Sequence, residues 1–234
     1  MFQHFRNLLG SDEIEGKVVY VLGIVLLVQF FYPITETGSL VFLLIYQVVY
    51  ASLILAGIII TRNNPRLVRL LYALGTILVV AGAIYAFNQD AVWANLTGYA
   101  AYIVFDVIII WILFKYVFET RIITRDVLYA AVAIYLLLGA VFVPAYGLVD
   151  TLTFELSDGT LHAFVGGSTG ADELFAWQDF IYFSYVTLTT LGYGDILPTT
   201  MVAKAAVAFE AIIGVMYLTI IMARLVSLYS ADFN

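Results

Sequence analysis

The segment with the clearest chemical potential is residues 189–198, in which glycines stand at alternate positions, Gly192 and Gly194. Glycine adopts a positive φ at little cost, so successive carbonyl groups can turn toward one axis instead of alternating as they do in a strand. The preceding residues 171–189 have helical periodicity but are too short and too polar at their ends for a comfortable membrane span. Non-helical backbone at membrane depth is tolerated only where protein buries it or where it lines a water-filled path. The pattern therefore predicts a re-entrant functional loop.

The chain offers few side chains for covalent or metal chemistry. It contains no cysteine and two histidines, His4 and His162. The missing thiols exclude disulfides, thiolate catalysis and iron–sulfur clusters, and neither histidine falls inside an apolar segment where it could bind haem or a buried metal. We therefore expect no cofactor. His162 lies in a polar loop, where an exposed residue is the simplest interpretation, although a histidine among carboxylates could also titrate near neutrality.

Composition places the chain among integral membrane proteins. Of its 234 residues, 63% are hydrophobic and 12% are charged, and the mean hydropathy is +1.00, whereas soluble domains carry about 25% charged residues. A soluble fold could not bury so much apolar surface, so membrane lipid is an expected partner. The net charge of −7, with ten scattered Lys and Arg residues, excludes nucleic-acid binding because the chain would repel phosphates.

Six apolar segments are each close to the roughly 20 residues that a helix needs to cross the hydrocarbon core. Proline, glycine, asparagine and charged residues separate them. They predict an all-α membrane protein with six transmembrane helices, together with the re-entrant helix and its loop. The segments are 16–32, 39–61, 67–87, 91–118, 127–149 and 201–228.

Basic residues fall almost entirely on one side of these segments. Nine of the ten Lys and Arg residues do so, and the positive-inside rule makes that side cytoplasmic. Both termini then lie in the cytoplasm, and we expect a multi-pass protein of the plasma membrane. The opposite side carries an excess of Asp and Glu. These carboxylates either keep the outer loops soluble or raise the cation concentration at the outer surface.

The polar stretch between the last two segments predicts a small cap. Residues 152–156 and 160–164 alternate in polarity around a Ser-Asp-Gly turn at 157–159. This pattern is typical of a β-hairpin. We expect the hairpin to form an extracellular cap, followed by a helix with Asp172 and Glu173 in its first turn, where the helix dipole favours anions.

Residues 190–195 read T-L-G-Y-G-D and lie between an amphipathic helix and one last apolar segment. They resemble the selectivity-filter signature T-V-G-Y-G-D of the tetrameric potassium channels, with five of six positions in agreement. In that family, backbone carbonyls replace the hydration shell of the ion. The resemblance implies a potassium-selective channel that conducts passively and has no enzymatic activity.

The resemblance also implies roles for individual residues. K⁺, as the permeant ion, would lie against the carbonyls of Thr190, Leu191, Gly192 and Tyr193 and the Thr190 hydroxyl, with Gly194 completing the filter. Support would come from Asp195 and from pore-helix aromatics, namely Trp177, Tyr182 and Phe183, with Tyr185 also available. One chain supplies one of the four filter strands, so a homotetramer is implied.

Six-span members of the family divide into a four-helix sensor domain and a two-helix pore. The same division here gives an interfacial N-terminal segment at 1–15, a sensor-like membrane domain at 16–119 and a pore domain at 120–234. The fourth apolar segment contains no arginine. A voltage sensor needs several charges that move through the field at about 2.3 kcal/mol per charge per 100 mV. Steep voltage gating is therefore not expected.

Three residues inside apolar segments are candidates for gating or sensing. Glu210 and Gly214 lie one turn apart in the last segment. Gly214 is either a hinge or a site of close helix packing, and Glu210 either attracts cations to a cavity or, as we favour, anchors the pore helix. Asp106 costs at least about 2.5 kcal/mol at the bilayer centre. It belongs to a structural polar network or senses protons or a ligand, and the available partners are Gln29, Gln47, Tyr46 and Tyr50.

Three alternatives remain beside the potassium channel. Leu191, in place of the commoner valine, leaves open a weakly selective cation channel. A secondary transporter would show interrupted helices in both halves, and only one interruption is visible. An intramembrane hydrolase would need a His, Asp or metal partner beside a buried Ser or Thr. The sequence ends about ten residues after Arg224, so we expect no cytoplasmic ligand-binding domain.

Overall fold

The computed structural model describes residues 18–37, 40–61, 65–88, 91–120, 124–166 and 175–231. The expected interfacial segment at 1–15 and the acidic residues Asp172 and Glu173 lie outside these residues. The described helices are α1 Val18–Phe31, a 3₁₀ helix Tyr32–Thr37, α2 Leu40–Thr61, α3 Pro65–Phe87, α4 Val92–Glu119, α5 Arg125–Leu156, α6 Trp177–Leu188 and α7 Met201–Ala231. The strands are β1 Phe164–Gly166 and β2 Ile196–Pro198.

The long helices indicate a membrane protein. Within the described residues, five candidate spans are long and apolar enough to cross a bilayer, and they include α3, α4, α5 and most of α7, with the first running from Val18 to Thr35. Helix α2 contributes a shorter apolar stretch, Val41–Ile54. Such helices carry apolar residues on all faces because lipid, not water, surrounds them. The count of six spans remains a prediction.

The first core of the molecule lies between helices α1 to α4 and the first half of α5. Buried side chains such as Val25, Leu53, Leu78, Phe105 and Ile134 fill it. The end of α7 adds Tyr217, whose hydroxyl donates to the carbonyl of Ala131 at 2.7 Å. This core joins the four-helix half to helices α5 and α7, which flank the loop at 189–195.

Arg224, near the end of α7, ties that helix to the C-terminal end of α4. Its guanidinium donates to the carbonyls of Val117, Phe118 at 2.7 Å and Thr120 at 2.9 Å, and it lies 4.8 Å from the Phe118 ring centroid. The last carbonyls of a helix lack intrahelical donors and carry partial negative charge, so a cation there is stabilising.

Replacing Arg224 by glutamine is expected to lower the free energy of unfolding by about 2 kcal/mol, because charge-assisted bonds to the α4 terminus are lost. Arg224→Lys should lose less stability than Arg224→Gln but remain less stable than the native chain, since an ammonium group cannot reproduce the several directed N–H donors of a guanidinium. Chemical unfolding in micelles measures both variants. Arg69→Gln is the matched control, because the Arg69 side chain is exposed and bonds Pro65 within its own helix. Equal losses at the two positions would contradict this role.

The expected β-hairpin at 152–164 is wrong. Residues 152–156 continue α5, which ends at Leu156, and positive φ angles at Asp158 (52°) and Gly159 (76°) then turn the chain. Strand β1 pairs instead with β2, in antiparallel register with Phe164 opposite Pro198 and Gly166 opposite Ile196. Nothing in 152–156 stops a helix whose hydrogen bonds are already formed, and a five-residue alternation cannot by itself distinguish strand from helix.

The second core supports helix α6 and the strand pair on either side of the loop. The Tyr146 ring of α5 packs against Phe164 of β1 and Phe183 of α6, with ring centroids 5.3 and 5.2 Å apart in edge-on geometry. Phe180 of α6 completes the group at 5.3 Å from Phe164. Edge-to-face aromatic pairs stabilise a packed core beyond their buried area. Helix α6 and the β1–β2 pair are thereby fixed to α5.

Candidate functional site

The backbone between α6 and β2 alternates in handedness. Thr190, Gly192 and Gly194 have positive φ angles of 60°, 58° and 76°, while Leu191 and Tyr193 do not. In an ordinary strand the sign is constant and carbonyls point alternately to opposite sides. When the sign of φ alternates from residue to residue, successive carbonyls point to the same side. The two glycines take this conformation at little cost, whereas Thr190 takes it with strain.

The amide groups at the start of this loop are directed back toward α6. The N–H groups of Leu191 and Gly192 both donate to the carbonyl of Val186, at 2.9 and 3.2 Å, and the N–H of Thr190 donates to Thr187 at 2.9 Å. These bonds satisfy carbonyls that the end of a helix leaves unpaired. In this arrangement the N–H groups of the loop do not bond the carbonyls of the loop itself.

No carbonyl from residue 190 to residue 194 accepts a hydrogen bond from the part of the chain that the structure describes. The side chains of Leu191 and Tyr193 are 55% and 66% exposed in the single chain. The loop therefore presents a row of carbonyl oxygens on an open surface. Hard monovalent or divalent cations take oxygen ligands of this kind.

Tyr193 and Asp195 are both held by Tyr182 of α6. The rings of Tyr182 and Tyr193 stack with centroids 6.4 Å apart and planes 8° apart. The Tyr182 hydroxyl donates to Oδ2 of Asp195 at 2.6 Å, and Oδ1 accepts from the N–H of Ile196 at 3.1 Å. The hydrogen bond from Tyr182 holds the pKa of Asp195 below its usual value. Tyr182 thus holds the end of the loop at Tyr193 and Asp195 in place.

Loss of the Tyr182 hydroxyl is expected to loosen the loop to the same extent as loss of the Asp195 carboxylate. Tyr182→Phe and Asp195→Ala should each speed the amide hydrogen exchange of residues 190–195 a few-fold, and the double variant should be no worse than either. Because the pKa of Asp195 is lowered, its charged form and this support should persist as pH falls from 7 and be lost only below the ordinary range of an aspartate pKa. Hydrogen exchange, corrected for the intrinsic rate, measures the loosening at each pH. Additive effects of the two changes would contradict a shared bond.

The other aromatic residues expected to support the filter lie elsewhere in the single chain. Trp177 packs on Tyr46 of α2, with centroids 4.9 Å apart, and Phe183 belongs to the second core. Tyr185 also faces α5, since its hydroxyl donates to the carbonyl of Leu136 at 2.8 Å. These residues position α6, and Tyr182 is the one that contacts the loop.

Glu210 of α7 connects three helices behind the loop. Its side chain is fully buried. Oε1 accepts from the Ser184 hydroxyl of α6 at 2.5 Å, and Oε2 accepts from the Tyr146 hydroxyl of α5. The Ser184 hydroxyl also lies 2.8 Å from the carbonyl of Gly139. Glu210 therefore lies in the anchoring position and not on an open cavity wall. Ser184 and Tyr146 carried no sequence signal, because a lone hydroxyl in an apolar segment has many uses.

Gly214 lies where α7 crosses the end of α6. A Cβ atom at this position would stand 2.7 Å from the carbonyl oxygen of Leu188 and 2.9 Å from its Cδ1. The same carbonyl accepts from the Tyr135 hydroxyl at 3.3 Å. Helix α7 is continuous through Gly214. The geometry thus favours close packing over a bend at this residue.

Asp106, in the middle of α4, is fully buried and bound by a single tyrosine. The Tyr50 hydroxyl lies 2.6 and 2.7 Å from its two carboxylate oxygens. Of the other expected partners, Gln47 instead accepts from Tyr102 and donates to the carbonyl of Leu78 at 3.1 Å. Asp106 forms no salt bridge with a described residue. A buried carboxylate without a cation is costly, so its surroundings matter for function.

His162 is not an exposed loop residue, so that interpretation is wrong. Its side chain is 11% exposed, and Nδ1 lies 3.6 Å from Oδ2 of Asp150. The imidazole stacks on Phe154, with centroids 4.8 Å apart, and Oδ1 of Asp150 accepts from the N–H of Ala163 at 2.7 Å. The end of α5 and the start of β1 enclose the ring. The sequence could not show this, because α5 extends seven residues beyond the boundary expected from hydropathy.

Comparison with known proteins gives one match. Residues 123–231 match the model of a family described as ion channel. No curated protein and no solved structure matches the chain. The matched residues contain α5, α6, the alternating loop and α7. The match supports an ion channel family and passive conduction of ions.

Proposed function

We propose that the chain is one subunit of a homotetrameric, potassium-selective channel of the plasma membrane, with both termini in the cytoplasm. The observation that carries the proposal is the alternation of φ at Thr190, Gly192 and Gly194, which leaves a row of unpaired carbonyls. A channel that passes dehydrated ions needs such oxygens in place of water. The role of the protein is passive conduction and not catalysis.

The carbonyls of residues 190–193, with the Thr190 hydroxyl, are the proposed K⁺ ligands. Helix α6 ends at Leu188, directly before them, so its partial negative charge points toward the inner end of the row. Asp195 lies at the other end and stays charged at neutral pH. Both features favour a cation over an anion along the row.

The exposure of this loop supports the proposed tetramer. One chain encloses nothing with its row of carbonyls, and four rows around an axis are needed to surround an ion. Helix α7 also leaves large apolar side chains exposed, among them Phe209, Ile212, Met216 and Met222. Contacts with neighbouring subunits and with lipid would cover them.

The proposed channel is not steeply voltage-gated. Helix α4 carries Asp106, Lys115 and Glu119 as its charged residues, and Lys115 lies 3.9 Å from Glu119 one turn away. A helix with one buried carboxylate and a paired lysine has too little charge to move for a steep response. Conductance is therefore expected to change little between −100 and +100 mV, as a planar bilayer recording measures.

Flux into liposomes tests the proposal. Purified protein is reconstituted into liposomes that are loaded with K⁺. Uptake of K⁺, Rb⁺ and Na⁺ into these liposomes is followed, with protein-free liposomes as the control. We expect K⁺ and Rb⁺ to enter at least about tenfold faster than Na⁺ and to stop at their equilibrium distribution. Equal Na⁺ entry would indicate a weakly selective cation channel. Uptake that depends on a proton gradient would instead indicate a transporter.

A further inference from the structure

We propose that a cavity between the four-helix half and helices α5 and α6 is a binding site for a small organic cation of the alkylammonium type. This cavity of about 90 Å³ lies among α1 to α6 and is lined by residues from all six helices. It is separate from the loop at 190–194 and from Glu210. The proposal stands on the aromatic rings of its walls, on the carboxyl group of Asp106 behind one of these rings and on an unpartnered polar atom of Gln29.

Aromatic rings form much of the cavity wall. Tyr46 and Trp177 have centroids 4.9 Å apart, and Tyr50 and Tyr102 meet edge-on at 4.9 Å. Tyr99 lines the other side. The faces of such rings carry partial negative charge and attract cations, and an aromatic cage is the usual way in which proteins recognise alkylammonium groups. A neutral apolar ligand of the same shape would be stabilised only by the burial of its surface and not by attraction to the rings.

An acidic residue lies behind the cavity wall. Tyr50 lines the cavity, and its hydroxyl lies within hydrogen-bond distance of both oxygens of the buried Asp106. Among the described residues, no lysine, arginine or histidine lines the cavity, and none forms a salt bridge with Asp106. In its ionised form this carboxyl group disfavours an anion in the cavity and favours a cation.

A polar atom without a partner points to a ligand that can also form hydrogen bonds. Oε1 of Gln29 is buried, and no described residue donates to it. The Tyr85 and Tyr99 side chains line the same cavity. Buried polar atoms usually have partners, so the unpartnered amide oxygen of Gln29 suggests an absent donor. A hydroxyl or amine on the ligand would supply it.

The site contacts the helix that carries the loop. Trp177 is the first residue of α6, and Ile181 lies one turn later on the same wall. A ligand bound in the cavity would therefore contact α6 directly. Because binding is measured without any ion flux, the test below is independent of the proposed channel function.

Equilibrium binding of choline to the purified full-length protein in micelles tests the proposal. The neutral isostere 3,3-dimethylbutan-1-ol, in which carbon replaces the charged nitrogen, is the matched ligand. We expect choline to bind at least about tenfold more tightly than the isostere. Equal affinities, or no saturable choline binding, would overturn the proposal of a cation site.

Variants and competition locate the site. Tyr46→Leu should weaken choline binding at least about tenfold, while Tyr46→Phe, which keeps the ring, should leave it nearly unchanged. Tyr72→Leu is the control, since Tyr72 is exposed on the outer surface of α3. Choline bound in this cavity should also resist displacement by saturating K⁺. Displacement by K⁺, or unchanged binding in a folded Tyr46→Leu protein, would place choline in the ion path and overturn the proposal.

Discussion

Replacing Gly192 by alanine is expected to reduce potassium flux about 100-fold or more while leaving the fold intact. Gly192 has a φ of 58°, and an L-residue in this left-handed region costs roughly 1–2 kcal/mol. In the proposed tetramer four subunits carry this cost together, and each 1.4 kcal/mol is a factor of ten. A Cβ at this position meets nothing within 4 Å in the chain. The change therefore acts through backbone strain and not through a clash in the core.

Gly23→Ala is the matched control for this variant. Gly23 is helical, and its added Cβ likewise meets nothing within 4 Å. Alanine favours a helix by roughly 1 kcal/mol over glycine, so this variant should conduct normally and be at least as stable. Liposome flux and thermal unfolding measure both variants. Normal flux through a Gly192→Ala protein would contradict a conducting role for the loop.

Replacing Glu210 by alanine is expected to lower the free energy of unfolding by about 3 kcal/mol and to abolish selective flux. The change removes the acceptor for Tyr146 and one of two acceptors for Ser184, and it leaves a cavity between α5, α6 and α7. A buried hydroxyl without a partner costs about 1–3 kcal/mol, and the cavity adds to this. Chemical unfolding in micelles and liposome flux measure the two effects.

Two further variants separate the hydrogen bonds from the charge. Glu210→Gln keeps one carbonyl acceptor and should lose about 1 kcal/mol or less. Tyr146→Phe should lower the free energy of unfolding of the native chain but hardly change it in the Glu210→Ala background, because the Tyr146 and Glu210 side chains share one hydrogen bond. Glu119→Ala, at an exposed carboxylate, is the control for loss of a glutamate. Independent losses at Tyr146 and Glu210 would contradict the anchor.

The helices and the loop could be predicted from the sequence because their signals are local. Runs of apolar residues define helices in lipid, and Gly192 and Gly194 define a backbone of alternating handedness. Thr190 was expected to contribute its carbonyl and hydroxyl, but a positive φ at a threonine is not readable from residue type. The surrounding bonds to Val186 and Thr187 impose it.

The contacts between distant segments could not be predicted. The pairing of Phe164 with Pro198 joins residues on either side of α6 and the loop, whereas the sequence favoured a local hairpin. The bond from Tyr50 to Asp106 was among several open choices, and the aromatic cavity depends on six helices at once. Such arrangements follow from packing, and residue periodicity carries no information on which faces meet.

The most direct test of the central claim is the position of permeant ions in crystals of the protein grown with Rb⁺. Anomalous scattering from Rb⁺ should give a row of peaks on a fourfold axis, each within coordination distance of the carbonyl oxygens of residues 190–193. Crystals of a folded monomer, or a fourfold assembly in which these carbonyls face away from the axis and no Rb⁺ peak lies beside them, would contradict the account.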